Sequence, residues 1–144
     1  MGISKYNAEG YLDLTAYEAL LAIEREAKKA AFRPLVFICS PLAGNIEHNL
    51  EQARRCCRFA VMKGAIPLAP HLLFPQFMDD GDKAERNLAI FMGLVLLSKC
   101  HELWCFGNKI SPGMAIELEK AKRLGIPIRH FTGQCAEVKQ SARV

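Results

Sequence analysis

Residues 111–128 read SPGMAIELEKAKRLGIPI, a loop followed by a helix and then a strand. The helix is predicted to begin near Pro112 and to end at Gly125, because proline fits the first helical turn and glycine accepts the left-handed cap conformation. The apolar residues of this stretch share one face of the helix. Glu117 lies at the margin of that face, about one turn inside the helix. It is a candidate functional carboxylate, although the helix dipole alone also favours acids in first turns.

Further strands and helices precede this segment. Residues 35–39 form a continuous apolar run, which is typical of a strand buried on both faces. Residues 65–69 and 101–106 are predicted to be the second and third strands, and residues 126–131 the fourth. Pro67 favours an edge position for the second strand because it cannot donate a backbone hydrogen bond. The intervening helices are predicted at residues 46–63, 82–99 and 112–124.

This alternation of strands and helices predicts an α/β fold, a Rossmann-like three-layer sandwich with helices on both faces of the sheet. The sheet is expected to hold at least four parallel strands in the order 2-1-3-4, with an additional N-terminal helix. Ligands of such folds bind at the carboxyl ends of the strands, at the switch point between strands 1 and 3. Three loops meet there, at residues 40–45, 70–82 and 107–113. The resulting cleft gathers Ser40, His71, Asp82 and Glu117.

The chain is expected to divide into three segments. Residues 1–33 form an arm and a helix, residues 34–131 the α/β domain, and residues 132–144 a flexible tail. Thr15 and Glu18 match the capping box that begins a helix. The apolar stripe of this helix either covers a sheet edge or forms a contact between subunits.

Composition narrows the class of protein. A chain of 144 residues with a net charge of +4 permits an anionic small ligand. No basic run or aromatic–basic patch supports binding to a nucleic acid polymer. The first ten residues lack the charged and apolar regions typical of a signal peptide, and the longest apolar run, residues 88–97, is too short to cross a bilayer. We therefore expect a cytoplasmic protein without a membrane partner.

The six cysteines do not indicate a metal site, since no C-x-x-C pair exists and the histidines lack ligand spacing. Cys39 and Cys105 lie inside predicted strands, where a thiol behaves as a small buried hydrophobe. No metal and no cofactor are expected.

Several polar residues near the cleft have two readings. The loop SPLAGN at residues 40–45 resembles an anion cradle, although Gly44 can be a turn glycine and Asn45 a helix cap. The loop is neither a dinucleotide fingerprint nor a P-loop. Asp82 either caps the third helix of the chain, at residues 82–99, or takes part in catalysis, and His71 is either structural or a ligand contact.

The segment SPGMAIELEKAKRLGIPI resembles the nucleophile segment of nucleoside 2-deoxyribosyltransferases, in which an acid, a glycine and a later glutamate precede a helix. The first strand and its loop, VFICSPLAG, resemble the substrate loop of the same superfamily. The likeness spans residues 35–131. It is greatest to an uncharacterised family of that superfamily, which shares the N-terminal helix and the stretch PHLLFPQFMDD.

The resemblance implies that Glu117 attacks C1′ of a 2′-deoxyribosyl group and forms a glycosyl-enzyme ester. The transferases carry Asp at the position of Ser111, so the leaving base needs another proton donor, either Asp82, Asp80 or His71. The implied site consists of catalytic Glu117 and Asp82, together with the substrate-binding residues Ser40, Pro41, Gly44, Asn45, His71, Ser111, Gly113 and Met114.

Two functions follow as hypotheses. The first is cleavage or transfer of the N-glycosidic bond of a 2′-deoxynucleoside or its 5′-monophosphate. The second is a non-catalytic nucleotide-sensing domain that keeps the pocket, which the serine at position 111 motivates. The partner is a small nucleoside or nucleotide in both cases, and the resemblance implies a homo-oligomer, a dimer or larger.

Overall fold

The structure is a computed structural model that describes residues 14–29, 32–42 and 44–139. The chain divides between Phe32 and Arg33 into two units. The first unit contains helix α1, Leu14–Lys29. Thr15 is the second residue of the helix as described, so the predicted N-cap at Thr15 is wrong. The predicted arm, residues 1–12, lies outside the described residues.

The second unit contains a five-stranded sheet in the order β2-β1-β3-β4-β5. Its strands are β1 Leu35–Cys39, β2 Ile66–Leu68, β3 Glu102–Phe106, β4 Ile128–Phe131 and β5 Glu137–Val138. The first four strands pair in parallel and in the predicted order. Pro67 pairs with Val36 on the edge strand, as predicted. The predicted α/β fold with an order 2-1-3-4 is confirmed.

Helices on both faces bury the sheet. They are α2 Ile46–Met62, α3 Pro70–Leu73, α4 Lys83–Leu97 and α5 Pro112–Leu124. Alternate residues of β1 point to opposite faces, so Val36 and Ile38 pack with α2, whereas Phe37 and Cys39 lie on the face of α4 and α5. The sheet is therefore the middle layer of three.

The α2 face of the sheet carries an aromatic cluster. The rings of Phe106 and Phe131 stack with centroids 5.0 Å apart, and Phe59 of α2 meets the ring of Phe131 edge-on. The guanidinium of Arg129 lies 4.8 Å from the ring centre of Trp104. Such contacts stabilise a core beyond the burial of apolar area alone. Because this face is filled by the aromatic core, the site is expected on the opposite side of the sheet.

Two elements differ from the prediction. Residues 70–81 were predicted to be irregular, but they contain α3 and a 3₁₀ helix at Phe74–Gln76. The predicted tail contains β5, which pairs antiparallel with β4 and receives a bidentate ion pair from Arg129 to Glu137. Both elements are too short for hydrophobic periodicity to reveal them. The last five residues of the predicted tail lie outside the described residues.

Candidate functional site

A cavity of about 510 Å³ opens at the carboxyl ends of β1 and β2, beside the N-terminal turns of α5. Ser40 follows β1, His71 follows β2 on α3, and Glu117 comes from α5. Helix α4 supplies the facing wall, where Gly93 lies beside Pro70. The cavity thus lies at the switch point expected from the strand order.

Glu117 is half-buried in the wall of this cavity. Burial raises the pKa of its carboxyl from the usual 4.5 to about 7, because the charged form loses water. The thiol of Cys39 acts on this pKa in the opposite direction. A carboxyl with these properties changes charge near neutral pH, which is a common property of catalytic acids and bases.

Ser40 and His71 form a hydrogen-bonded pair at the cavity wall. The Ser40 Oγ lies 2.8 Å from the His71 Nε2, and Ser40 is buried. Burial lowers the pKa of His71 from 6.5 to about 4, so its imidazole is neutral at pH 7. Neutral imidazole and hydroxyl can both donate and accept, which suits recognition of a sugar hydroxyl.

The N-terminus of α5 is held by Ser111. Its hydroxyl accepts a hydrogen bond of 3.2 Å from the backbone N–H of Met114, and Pro112 occupies the first turn. Ser111, Gly113 and Met114 all line the cavity. Residues 111–114 therefore serve both as the start of the helix and as a wall of the cavity.

The structure brings together six of the ten predicted site residues, namely Glu117, Ser40, His71, Ser111, Gly113 and Met114. The other four, Pro41, Gly44, Asn45 and Asp82, do not line the cavity.

Three of these four residues have local structural features instead. The Asn45 side chain caps α2 through the N–H of His48, and Gly44 has a φ of 95°. The Asp82 side chain caps α4 through the N–H of Ala84 at 3.2 Å. The structural readings of Asn45 and Asp82 thus match their observed contacts.

Sequence reasoning missed much of the outer wall. The outer wall contains four polar residues, Asp79, Glu85, Arg86 and Asn87. It also contains four apolar residues, Phe74, Met78, Ile90 and Ile116. These four polar residues lie just before α4 or in its first turns. Their place in the cavity wall depends on the path of the loop after α3, which turns back over the cavity. Asp79 and Glu85 stiffen this turn: the Glu85 carboxylate accepts from the Asp79 N–H, and the Asp79 carboxylate accepts from the Gly81 N–H.

Among the described residues, no group of three or more His, Cys, Asp or Glu side chains is placed to hold a metal ion. No helix in the described part of the chain is long and apolar enough to cross a membrane.

A family model for a domain of unknown function, DUF7768, matches residues 34–131. The match covers the four parallel strands and the cavity-lining elements. The chain belongs to the DUF7768 family. Among curated proteins, none matches the sequence significantly.

The fold of this DUF7768 protein is similar to that of a 2-deoxyribosyltransferase from the psychrotolerant bacterium Bacillus psychrosaccharolyticus, which is described as a biocatalyst for nucleoside synthesis. The TM-score is 0.57 at 17% sequence identity, and the alignment covers 73% of this chain and 76% of the other. At this identity the likeness establishes a shared fold.

Proposed function

We propose that this protein cleaves or transfers the N-glycosidic bond of a 2′-deoxynucleoside, with Glu117 as the nucleophile. The observation that carries the proposal is the position of Glu117. It is half-buried in the wall of a 510 Å³ cavity, at the switch point of a sheet that resembles a deoxyribosyltransferase. A carboxylate partly removed from water is a stronger nucleophile than a fully hydrated one, and its site can exclude competing water.

In the proposed reaction, one Glu117 oxygen attacks C1′ as the bond from C1′ to the base nitrogen breaks. The electron pair of that bond leaves with the base, which gains a proton. The product is a glycosyl ester on Glu117. Water or a second base then attacks C1′ and the carboxylate departs, so the enzyme is restored.

The proton for the leaving base is assigned to Asp80. Of the three candidates, Asp82 does not line the cavity, and the Nε2 of His71 is already hydrogen-bonded to the Ser40 Oγ. Asp80 lines the cavity close to α4. An acid at this position supplies the function that Asp has at the position of Ser111 in the transferases.

The cavity favours a nucleoside over its 5′-monophosphate. Of the described residues that line it, Arg86 is the only cation, whereas Asp79, Asp80 and Glu85 are acids. A phosphate would be repelled by more charges than attract it. The apolar wall, formed by Phe74, Met78, Ile90 and Ile116, suits the faces of a nucleobase.

The decisive experiment incubates the protein with 2′-deoxynucleosides and a second free base, and follows base release and exchange by chromatography. Glu117→Gln is expected to abolish both, since the amide cannot form the ester. Glu119→Gln is the matched control, because Glu119 lies on the same helix but is exposed and paired with Arg123. Absence of turnover with every nucleoside tested, together with unchanged ligand binding in Glu117→Ala, would contradict the proposal.

A nucleotide-sensing domain is the second candidate. The observation in its favour is that Ser111 offers a helix cap but no charge toward the cavity. Thermal shift against a panel of nucleosides and nucleotides tests it, since a ligand at about 100 times its Kd stabilises the fold by about 2.7 kcal/mol. A stabilising ligand that is never consumed supports sensing over catalysis.

A further inference from the structure

Ser40 is the only polar or charged residue that is buried in the described part of the chain, and it is 6% exposed. It follows β1 directly and lines the cavity. Burying a hydroxyl is unfavourable unless the group forms a hydrogen bond, and here the partner is the ring of His71, with 2.8 Å between Oγ and Nε2. The pair thus places a buried polar group in the cavity wall, beside the strand ends.

The second nitrogen of the His71 ring is not held by the protein. Within the described residues, the bond to Ser40 is the one hydrogen bond that the structure gives this side chain. No enclosed side-chain nitrogen or oxygen of the described residues lacks a partner, so Nδ1 is accessible from outside the protein. The hydrogen bond at one ring nitrogen normally fixes which nitrogen carries the proton. Because Nδ1 has no such bond, the ring can carry its proton on either nitrogen.

The two tautomers give the pair two hydrogen-bonding states. With the proton on Nδ1, the Ser40 hydroxyl donates to Nε2 and its oxygen can accept from a ligand. With the proton on Nε2, the ring donates to Oγ, and the hydroxyl can donate to a ligand. The ring is neutral at pH 7 in both states, because its pKa is lowered to about 4. The pair therefore matches a hydroxyl group, which also donates and accepts, but offers no positive charge to an anion.

The pair also lies near the part of α5 that carries the proposed nucleophile. Cys39, which precedes Ser40, has its sulfur 3.9 Å from the backbone carbonyl of Met114, one helical turn before Glu117. Ser40, His71 and Glu117 line the same cavity. The hydroxyl groups of deoxyribose lie only a few bonds from C1′. A sugar with its C1′ at Glu117 therefore brings a hydroxyl group to this wall.

We propose that Ser40 and His71 bind one hydroxyl of the deoxyribose, either the 3′- or the 5′-hydroxyl, and so determine specificity for the sugar. Ser40 makes the contact, and His71 orients the Ser40 hydroxyl. A phosphate ester at the bound oxygen is disfavoured, since the neutral pair supplies no charge to it. This inference rests on the proposed function, which supplies the sugar, but it can be tested by binding alone.

The test measures Kd by calorimetry in Glu117→Gln, which cannot form the ester. The ligands are the 2′-deoxynucleosides of adenine, guanine, cytosine and thymine, each compared with its 2′,3′-dideoxy and 2′,5′-dideoxy counterparts. Loss of the bound hydroxyl is expected to raise Kd about tenfold, and loss of the other to have little effect. Adding Ser40→Ala should abolish this ratio of Kd values, and adding His71→Leu should reduce it. Ser98→Ala is the control and should preserve the ratio, because Ser98 is exposed at the end of α4.

A purely structural role of the pair would lower the stability of Ser40→Ala without changing the ratio. Equal Kd values for the three ligands, a ratio that persists in Ser40→Ala, or no binding of any nucleoside would each overturn the proposal. If Ser40→Ala does not fold, Ser40→Cys fills the space with a weak hydrogen-bonding group and decides between the same outcomes.

Failure of the proposed function gives a different result. A protein that shows the Kd ratio, while the form with Glu117 intact releases no base, would lose the proposed reaction and keep the sugar site. Base release from 2′-deoxy, 2′,3′-dideoxy and 2′,5′-dideoxy nucleosides at equal kcat/KM would keep the reaction and refute the role of the pair.

Discussion

At the scale of the residue, Glu117 illustrates a conflict between stability and function. A partly buried carboxylate in the cavity wall destabilises the folded protein when it is charged. Nothing in the folding of α5 requires an acid at this position. A residue that is needed for function but lowers stability can be recognised, because replacing it with a neutral residue makes the protein more stable. Glu117 is a candidate for this behaviour.

The pH dependence follows from the raised pKa of Glu117. The folded state binds this proton more tightly than the unfolded chain, so the contribution of Glu117 to stability is greatest below pH 4.5. It falls as the pH rises to about 7. The loss amounts to about 3 kcal/mol, since one pKa unit corresponds to about 1.4 kcal/mol. Glu117→Gln mimics the protonated acid and is expected to be more stable than the wild type above pH 7, as measured by denaturant unfolding from pH 4 to 9.

Glu119→Gln provides the control for this measurement, because the exposed Glu119 lies on the same helix. Its stability relative to the wild type should change little over the same pH range. A Glu117→Gln protein that gains no stability at high pH would contradict the burial of this carboxyl.

His71 has the opposite dependence on pH. Its pKa is lowered in the folded state, so the folded protein binds this proton less tightly than the unfolded chain. The stabilisation from neutral His71 is complete above pH 6.5 and is lost as the pH falls to about 4. Relative to His71→Gln, which cannot be charged, the wild type is expected to lose about 3 kcal/mol across this range. Acid unfolding curves measure this difference.

His48→Gln is the matched control for His71, because His48 is exposed on α2. The two histidine variants separate the buried imidazole from general acid effects on the protein. Parallel curves for wild type and His71→Gln between pH 6.5 and 4 would show that the imidazole is charged in the folded state.

At the scale of the element, the N-terminus of α5 combines a cap with a cavity wall. Ser111→Ala removes the acceptor for the Met114 N–H and is expected to cost about 1 kcal/mol. Ser111→Asp keeps a cap of similar strength and adds a carboxylate at the position that the transferases use. We expect Ser111→Asp to retain stability and to raise the rate of base release, whereas Ser111→Ala does neither. Chromatographic rates and thermal unfolding of both variants check this.

The turn between β4 and β5 contains a strained residue. Cys135 has a φ of 64°, the only positive φ of a non-glycine residue in the described ranges. Its side chain also packs against the aromatic core, so both packing and strain change on substitution. Cys135→Ala and Cys135→Gly lose the same sulfur, but only the glycine relieves the strain.

We therefore expect Cys135→Gly to be about 1 kcal/mol more stable than Cys135→Ala. Denaturant unfolding of the two variants gives the difference directly. An alanine variant equal to or more stable than the glycine variant would mean that the turn is not strained at this position.

At the scale of the whole molecule, the sequence predicted the parallel core well for a physical reason. Continuous apolar strands such as residues 35–39 and capped helices such as α5 are specified locally, and the right-handed crossover rule then limits their order. Pro67 excluded its strand from the centre of the sheet. The short β5 has no such local signal, since its pairing depends on the neighbouring edge of β4.

Site residues were predictable only where they follow closely after a strand or lie in the first turns of a helix that follows a strand. Ser40, His71 and Glu117 meet this condition. The outer wall did not, because the direction of the loop after α3 depends on hydrogen bonds such as that between Asp79 and Glu85. Cys39 was interpreted as a buried hydrophobe, because its contact with the Met114 carbonyl requires the packing of α5 on β1.

Helix α4 leaves an apolar stripe on the surface, formed by Leu88, Phe91 and Val95. These side chains are 50%, 63% and 44% exposed, and the same helix lines the cavity through Ala89 and Ile90. Their spacing puts them on one face of the helix. An exposed apolar face of this kind is typical of a contact between subunits. We expect a second copy of the chain to cover it, in agreement with the homo-oligomer that the resemblance implies.

Sedimentation velocity tests this assembly. The wild type is expected to sediment as a dimer or larger at micromolar concentration, and Phe91→Glu as a monomer, because a buried unpaired carboxylate opposes association. The folded monomer should persist in Phe91→Glu, since the side chain is already exposed within one chain. Met62→Glu is the control, because Met62 is 73% exposed at the end of α2 and lies on the other face of the sheet. A monomeric wild type, or a Phe91→Glu protein that still assembles, would show that the α4 stripe is not the contact between subunits.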